Sequence, residues 1–555
     1  MLEIQHQPLE SLKAKAADPR GAALGALASA NMGTAGFVEY RSAGTVLIHG
    51  PVARALPAAR ALGGEMRCLL VAEDDDDKPT DLRQYLLARG RPRLNGYLGA
   101  YEAWLDTDAG PQSLAELVGG GLQAFDLVLD LADAPLMTMQ KPPLGYFAVG
   151  GDEALLAEAL GQLPAMVGEF QKPRFFAYDE NICAHGARGM TGCTRCMDAC
   201  ATDAIRSLGE KVEVDPYLCQ GCGSCAAACP SGAMGYAFPH ARDLLGGLRR
   251  ALRAYGDAGG QAPALLFHDD EWGSEILGAL ADRLPERLIP VPVEDVGSIG
   301  PDIWLSALAM GVSDVLVLLP DGVEGVLAET ARTQKALFDP VLEALQLDSD
   351  RVRLVSGQAA LAACLDEPPL HDDHGRRAGN FSIAGGKRER LQIAFSELYR
   401  PNRDAATTEL PAGAPFGQIQ VDRDACTLCM ACAAVCPVEA VTSGGGEPKL
   451  LFDESRCVQC GLCEQACPED AITLEARLHL PAFAMPQTRV LNEEAPFHCV
   501  SCGKAFATEK MIGRVAEQLA GHWMFQDERA RRRLEMCEDC RVKDLFDEEG
   551  NSLGQ

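Results

Sequence analysis

One pattern constrains this chain more than any other: a cysteine-rich segment that recurs four times. The stretches VEVDPYLCQGCGSCAAACPSGAM, IQVDRDACTLCMACAAVCPVEAV and LLFDESRCVQCGLCEQACPEDAI share one template. It is a short strand, an Asp, the run C-x2-C-x2-C-x3-C-P and a return strand. FFAYDENICAHGARGMTGCTRCMDACATDAI is a fourth copy, with its first gap stretched to nine residues and Ala201 in place of the proline. Three cysteines two residues apart wrap a loop around one iron–sulfur cube and supply three of its ligands. The fourth, followed by a turn-forming proline, is expected to start a helix that carries it to the other cluster of the pair.

Crossed ligation then assigns the thiolates. In the first module Cys183, Cys193, Cys196 and Cys229 form one set, and Cys219, Cys222, Cys225 and Cys200 the other. In the second, Cys426, Cys429, Cys432 and Cys467 form one set, and Cys457, Cys460, Cys463 and Cys436 the other. Four [4Fe–4S] clusters are expected. Zinc sites and free thiols are the competing readings, and zinc seldom uses this triple spacing. The stretched gap leaves open whether Cys183 ligates; without it the site would hold a [3Fe–4S] cluster. His185, inside that gap, is read as solvent-facing or as a support for the ligands rather than as an iron ligand. The small residues Gly221, Gly223, Ala431 and Gly461 are expected to let backbone N–H groups approach the sulfurs, which raises reduction potential.

A different pattern lies near the C-terminus. Cys499-Val-Ser-Cys502 and Cys537-Glu-Asp-Cys540 flank an amphipathic helix with Met511, Ile512, Val515 and Leu519 on one face. Two such knuckles fit a closed tetrahedral zinc site. Rubredoxin-like iron is the alternative. His498 and His522 are spare ligand candidates. Twenty of the 22 cysteines fall in these clusters, so the chain uses cysteine for ligation rather than for disulfides. Cys68, inside a predicted strand, reads as a core residue, and Cys364 also stands apart.

Between the motifs the chain reads as α/β. Residues 1–168 form an N-terminal α/β region with buried strands at Thr45–Ile48, Met66–Val71 and Phe125–Leu129 and a helix at Leu155–Leu163. The acidic Glu73–Asp77 stretch reads as a solvated loop. The first cysteine module occupies 172–238. From 262 to 366 strands at Ala264–Phe267, Leu288–Val293, Val315–Leu319 and Val352–Val355 alternate with helices near Ser274–Leu284, Asp302–Met310 and Val323–Leu345, a pattern that predicts a parallel sheet. Residues 367–415 are a polar, Pro/Gly-rich linker with one helix at Lys387–Leu398. The second module spans 417–476 and the knuckle 497–545. The fold class is therefore multidomain, α/β plus α+β.

A net charge of −29 in 555 residues argues against nucleic-acid binding and suits docking on basic patches of redox partners, or serves solubility alone. No apolar run approaches the roughly 18 residues of a membrane span. The N-terminus carries no basic n-region followed by an apolar stretch and no twin arginines, so a cytoplasmic protein is expected.

The two modules resemble bacterial two-cluster ferredoxins. Residues 262–366 resemble the delta-subunit domain of methyl-viologen-reducing hydrogenase, through FHDDEWGSEILGAL, RLIPVPV, PDIWLSALAMGVSDVLVLLPDG and RVRLV. That family places cysteines after its first strand for a [2Fe–2S] cluster. Here His268-Asp269-Asp270-Glu271-Trp272 stand there, so the resemblance implies a scaffold or docking surface without that cluster. As a whole the chain resembles multi-cluster ferredoxin-type proteins associated with molybdenum formate dehydrogenases of proteobacteria, through KPRFFAYDENICAHGARGMTGCTRCMDAC, DESRCVQCGLCEQACPEDAITL and PFHCVSCGKAFAT…MCEDCRV. That resemblance implies an electron carrier whose partner is a formate dehydrogenase. A non-catalytic assembly or redox-sensing factor for a molybdoenzyme is the second reading. An oxidoreductase subunit with its own flavin site is the third, although no G-x-G-x-x-G or G-x-x-x-x-G-K-[ST] motif is present.

Overall fold

Runs of branched aliphatic residues that are buried on both faces cannot alternate with solvent, and they pair in parallel between covering helices. Two such sheets organise the chain. The computed structural model describes residues 18–552 apart from 30–32, 34–35, 77–78, 271, 323, 368–380, 382–384, 400–406 and 446. The expected helix start at Val323, as well as Glu271, Asp77 and much of the 367–415 linker, lie outside the described residues.

The first sheet has five parallel strands in the order Leu86–Arg89, Arg67–Ala72, Thr45–Gly50, Leu127–Asp130 and Tyr146–Ala148. Its three central strands are those the sequence indicates, with the third starting at Leu127 rather than Phe125. Cys68 lies buried in it, as a small hydrophobe does. The outer two strands are short, and Leu86–Arg89 is only half-buried, so neither carries the apolar run that marks a strand in sequence. The second sheet runs Leu288–Val293, Ala264–Asp269, Asp314–Leu319 and Val352–Ser356, all parallel. Its helices are Trp272–Ala279, Pro301–Ala309 and Val326–Ala344.

Two further helices cover this second sheet. Ala241–Asp257 buries Leu244, Leu245, Leu248 and Ala251, and the chain's first described helix, Pro19–Ala28, packs against it through Ala23 and Leu27. Arg20 fixes that helix by donating to the carbonyls of Leu284 and Pro285, each at 3.3 Å. A chain segment far in sequence from the second sheet thus joins its core. The helix Lys387–Leu398 does the same from the linker, placing Leu391, Ala394, Phe395 and Leu398 in the core. Around it Phe395, Phe416 and Phe483 meet at ring-centroid distances of 5.2–5.6 Å. Each such fully buried ring contributes about 1.5–3 kcal/mol of burial, plus edge-to-face attraction.

The cysteine modules are built from short antiparallel pairs. Phe176–Tyr178 pairs with Met234–Tyr236, and Ile205–Ser207 with Val212–Val214. In the second module Gly417–Val421 pairs with Ile472–Leu478, and Glu447–Asp453 lies between Val441–Gly444 and Thr488–Glu493. Strand entry and strand exit of each module are therefore neighbours. Among the described residues no helix is long and apolar enough to cross a membrane.

Candidate iron–sulfur sites

The three regular loops share one backbone path. The residues on either side of the central cysteine take left-handed conformations in every copy: Gly221 and Gly223, Leu428 and Met430, Gln459 and Gly461. The Gly221 N–H reaches Cys219 sulfur as expected, and the N–H groups of Gln459 and Leu462 do the same at Cys457 and Cys460 without a small side chain. Ala431 instead begins a short helix, and a leucine, a methionine and a glutamine occupy left-handed positions. A non-glycine residue held there costs roughly 1–2 kcal/mol, which the surrounding fold must offset.

The helix of each copy also lies elsewhere than expected. It precedes the fourth cysteine, as Arg195–Asp198, Ser224–Ala228, Ala431–Ala434 and Leu462–Gln465. A proline cannot continue a helix and forces the residue before it into an extended conformation, as at Cys229. Three residues beyond each fourth cysteine the chain turns through positive φ, at Asp203, Gly232, Glu439 and Asp470. The divergent copy keeps this turn although Ala201 replaces its proline. The turn aims backbone N–H groups back at sulfur: Met234 N–H donates to Cys229 Sγ at 3.3 Å, Ala440 N–H to Cys436 at 3.2 Å and Ala471 N–H to Cys467 at 3.3 Å.

Three small cavities collect cysteines in crossed sets. One is lined by Cys200, Cys219, Cys222 and Cys225, one by Cys183, Cys193, Cys196 and Cys229, and one by Cys426, Cys429, Cys432 and Cys467. In the remaining set Cys436 lies close enough to Cys457, Cys460 and Cys463 for its charge to oppose their ionisation. Several of these thiols sit where bare sulfur resists ionising. Burial, reinforced by neighbouring cysteines, pushes Cys196, Cys222, Cys432 and Cys460 up to about 12. Sulfurs clustered around one cavity become thiolates together only beside a cationic core, and iron fits that requirement.

Cys183 reaches its cavity because the insertion folds back on itself. Gly186–Ala187 and Met190–Thr191 pair as a tight hairpin, and Cys193 N–H donates to the Ala184 carbonyl at 2.8 Å. The nine-residue gap is thereby closed to a short one. His185 is buried, with Nδ1 2.9 Å from the Cys193 carbonyl and Nε2 2.7 Å from Ser207 Oγ. Both ring nitrogens are engaged in fastening the hairpin.

At the C-terminus, Pro496–His498 and Ala505–Thr508 form a hairpin, and the sulfurs of Cys499, Cys502, Cys537 and Cys540 lie within 4.8 Å of one another. His498 and His522 are exposed and outside this group. Against the cost of burial, the N–H groups of Cys537, Cys502 and Ser501 pull the Cys499 thiol down to about 6. The knuckle could hold a metal ion. It sits on the loop of the Cys426 set, where Lys510 Nζ donates to the Arg423 carbonyl at 2.7 Å and Arg514 pairs with Glu469 at 2.5 Å.

Two features carried no sequence signal. Buried or half-buried cations reach main-chain carbonyls beside the cysteine loops: Lys172 Nζ lies 2.7 Å from the Cys219 carbonyl, Lys387 reaches Ala226 and Ala227, and the half-buried Arg388 reaches Cys457. Burial pulls Lys172 down to about 8, against the charges of Cys219 and Asp215. A cavity of about 560 Å³ opens at the carboxyl ends of the second sheet, where parallel sheets place ligands. Asp269, Asp270, Glu294 and Asp295 line its wall together with Lys141, which pairs with Asp295 at 2.6 Å.

The sequence model of the 4Fe-4S dicluster domain matches residues 191–233 and 425–471. Cys183 lies outside the first match, which takes in the other seven cysteines of its module. No curated protein matches the chain. Two dicluster domains on one chain support an iron–sulfur electron-transfer role.

Proposed function

We propose that the chain carries four [4Fe–4S] clusters in the crossed sets given above and passes electrons between redox proteins, with a formate dehydrogenase as one partner, in the cytoplasm. When bound, each cluster takes up or releases one electron. The observation that carries the reading is the order in which the cysteine sets adjoin. Cys225 of the Cys219 set feels the charge of Cys196 in the Cys183 set. Cys193 of the Cys183 set acts on Cys460 across the module boundary. Cys432 of the Cys426 set acts on Cys463. The sets thus adjoin in the order Cys219, Cys183, Cys457 and Cys426, with the C-terminal knuckle beside the last.

The polypeptide's part is positioning. Gln465 Nε2 donates to the Thr191 carbonyl at 3.0 Å and latches the modules beside the two inner sets, while Arg195 ties the first module to the linker through the Gly413 carbonyl at 2.7 Å. The knuckle is assigned zinc with a structural role, capping the outermost loop of the series. The formate dehydrogenase assignment rests on the sequence resemblance, and the acidic surface suits a basic docking patch. The test is anaerobic mixing of the protein with formate and a formate dehydrogenase while bleaching of the visible absorbance is followed. Bleaching within the turnover time of the dehydrogenase supports the proposal; clusters that stay oxidised refute the partner assignment.

A further inference from the structure

The helix Lys387–Leu398 begins with two cations that point to different modules. Lys387 is buried, and its Nζ donates to the carbonyls of Ala226 and Ala227 at 2.8 and 2.6 Å. These carbonyls end the short helix that delivers Cys229 to the Cys183 set. Arg388 turns the other way. Its Nε donates to the Ser455 carbonyl at 2.7 Å, Nη1 to the Pro415 carbonyl at 3.0 Å and Nη2 to the Cys457 carbonyl at 2.6 Å. The guanidinium lies 4.6 Å from the ring centroid of Phe416 and 5.3 Å from that of Phe483. The same two sets meet at the module boundary, where a Cβ on Gly192 would come within 2.9 Å of Leu462.

A buried cation is costly unless an opposite charge compensates it. Asp302 lies 3.9 Å from Lys387 Nζ, but it is shared with Arg390 at 2.7 Å. The half-buried Arg388 guanidinium donates to main-chain carbonyls rather than to carboxylates, and Cys457 acts on it ahead of Asp453. Four thiolates around an iron–sulfur core make a net anion, and reduction adds one more negative charge. A fixed cation beside such a group favours the reduced state and raises its potential.

We propose that Lys387 and Arg388 are positioning residues that raise the reduction potentials of the two inner clusters, Lys387 for the Cys183 set and Arg388 for the Cys457 set. One helix thereby joins the modules and raises the potentials of the two centres on either side of the boundary. Lys172 repeats the arrangement at the Cys219 set, from a different element. The proposal rests on the electron-carrier reading.

The test is an EPR-monitored redox titration of the full-length protein and of Lys387→Gln, Arg388→Gln and Asp302→Asn, each with iron and sulfide counted. The glutamine variants keep an N–H donor and lose the charge. Each is expected to shift a different single midpoint negative, by at least a tenfold change in that reduction equilibrium, about 59 mV for one electron. Asp302→Asn removes the anion that offsets Lys387 and is expected to shift positive the same midpoint that Lys387→Gln lowers. The exchanges Lys387→Arg and Arg388→Lys are expected to restore the wild-type values. Normal cluster content with unmoved midpoints, or an Asp302→Asn shift of the same sign as Lys387→Gln, overturns the proposal and leaves the electron-carrier reading standing. Wild-type protein without clusters removes that reading itself. If a glutamine variant fails to assemble, the sign of the Asp302→Asn shift decides for Lys387.

Discussion

Replacing His185 by alanine tests how the stretched copy works. The imidazole is 3% exposed and spends both nitrogens on fastening the insertion, at 2.9 Å to the Cys193 carbonyl and 2.7 Å to Ser207 Oγ. Each bond contributes about 1 kcal/mol, and partners left unsatisfied in a buried place add to the loss, so the hairpin should weaken by about 2–4 kcal/mol. Even 2 kcal/mol raises the open population roughly thirtyfold. When the hairpin opens, Cys183 leaves the quartet while Cys193, Cys196 and Cys229 keep their places. A cube held by three thiolates loses its unanchored iron on oxidation. The assay is iron content and low-temperature EPR after timed air exposure, with Ser207→Ala as a variant that breaks one bond of the two. His185→Ala is expected to lose about one iron per chain and to develop the signal of an oxidised three-iron cluster, with Ser207→Ala intermediate. A His185→Ala protein that keeps its iron as long as wild type refutes the fastening role.

Three further outcomes are expected. In Gly192→Ala the new methyl would lie 2.6 Å from the Ala184 carbonyl oxygen and 2.9 Å from Leu462 Cγ, so overpacking should cost about 1–3 kcal/mol and weaken magnetic coupling between the inner clusters in frozen-solution EPR; an unchanged coupling would contradict the boundary geometry. Cys499→Ser or Cys537→Ser should abolish about one equivalent of zinc by elemental analysis while leaving the iron count alone, and loss of iron instead would show that the knuckle is not a separate zinc site. Burial raises the Asp130 carboxyl, but hydrogen bonds from His49, Tyr146 and the Leu136 N–H outweigh it and hold the group below the usual carboxylate range. Its contribution to stability is therefore complete above about pH 4 and disappears as pH falls through the depressed value. Thermal melts of Asp130→Asn should accordingly be less stable than wild type at pH 7 and should converge with it in acid, and parallel pH profiles would contradict that.

How much of this could be read from the sequence follows from the range of each interaction. The gathering of cysteines around shared cavities was legible because spacing along a loop fixes which sulfurs face one cavity, and the central strands were legible because burial on both faces leaves an apolar run. The helix before the fourth cysteine was missed because its few residues show no periodicity. The left-handed positions at Leu428, Met430 and Gln459 were missed because the fold, not the residue type, imposes them. Closure of the long gap depends on His185 meeting Ser207 across 22 residues. The roles of Lys387 and Arg388 depend on contacts 161 and 69 residues away. A lysine and an arginine opening a predicted helix look like a solvated first turn until the surrounding modules are placed around them.

Total iron and acid-labile sulfide per chain, measured on anaerobically reconstituted protein together with the spin count of the fully reduced state, bear most directly on the four-cluster assignment. About sixteen iron and sixteen sulfide, with about four reducible spins, are expected. A colourless preparation whose cysteines titrate as free thiols, or one that stops at about eight iron with a whole module empty, would contradict it.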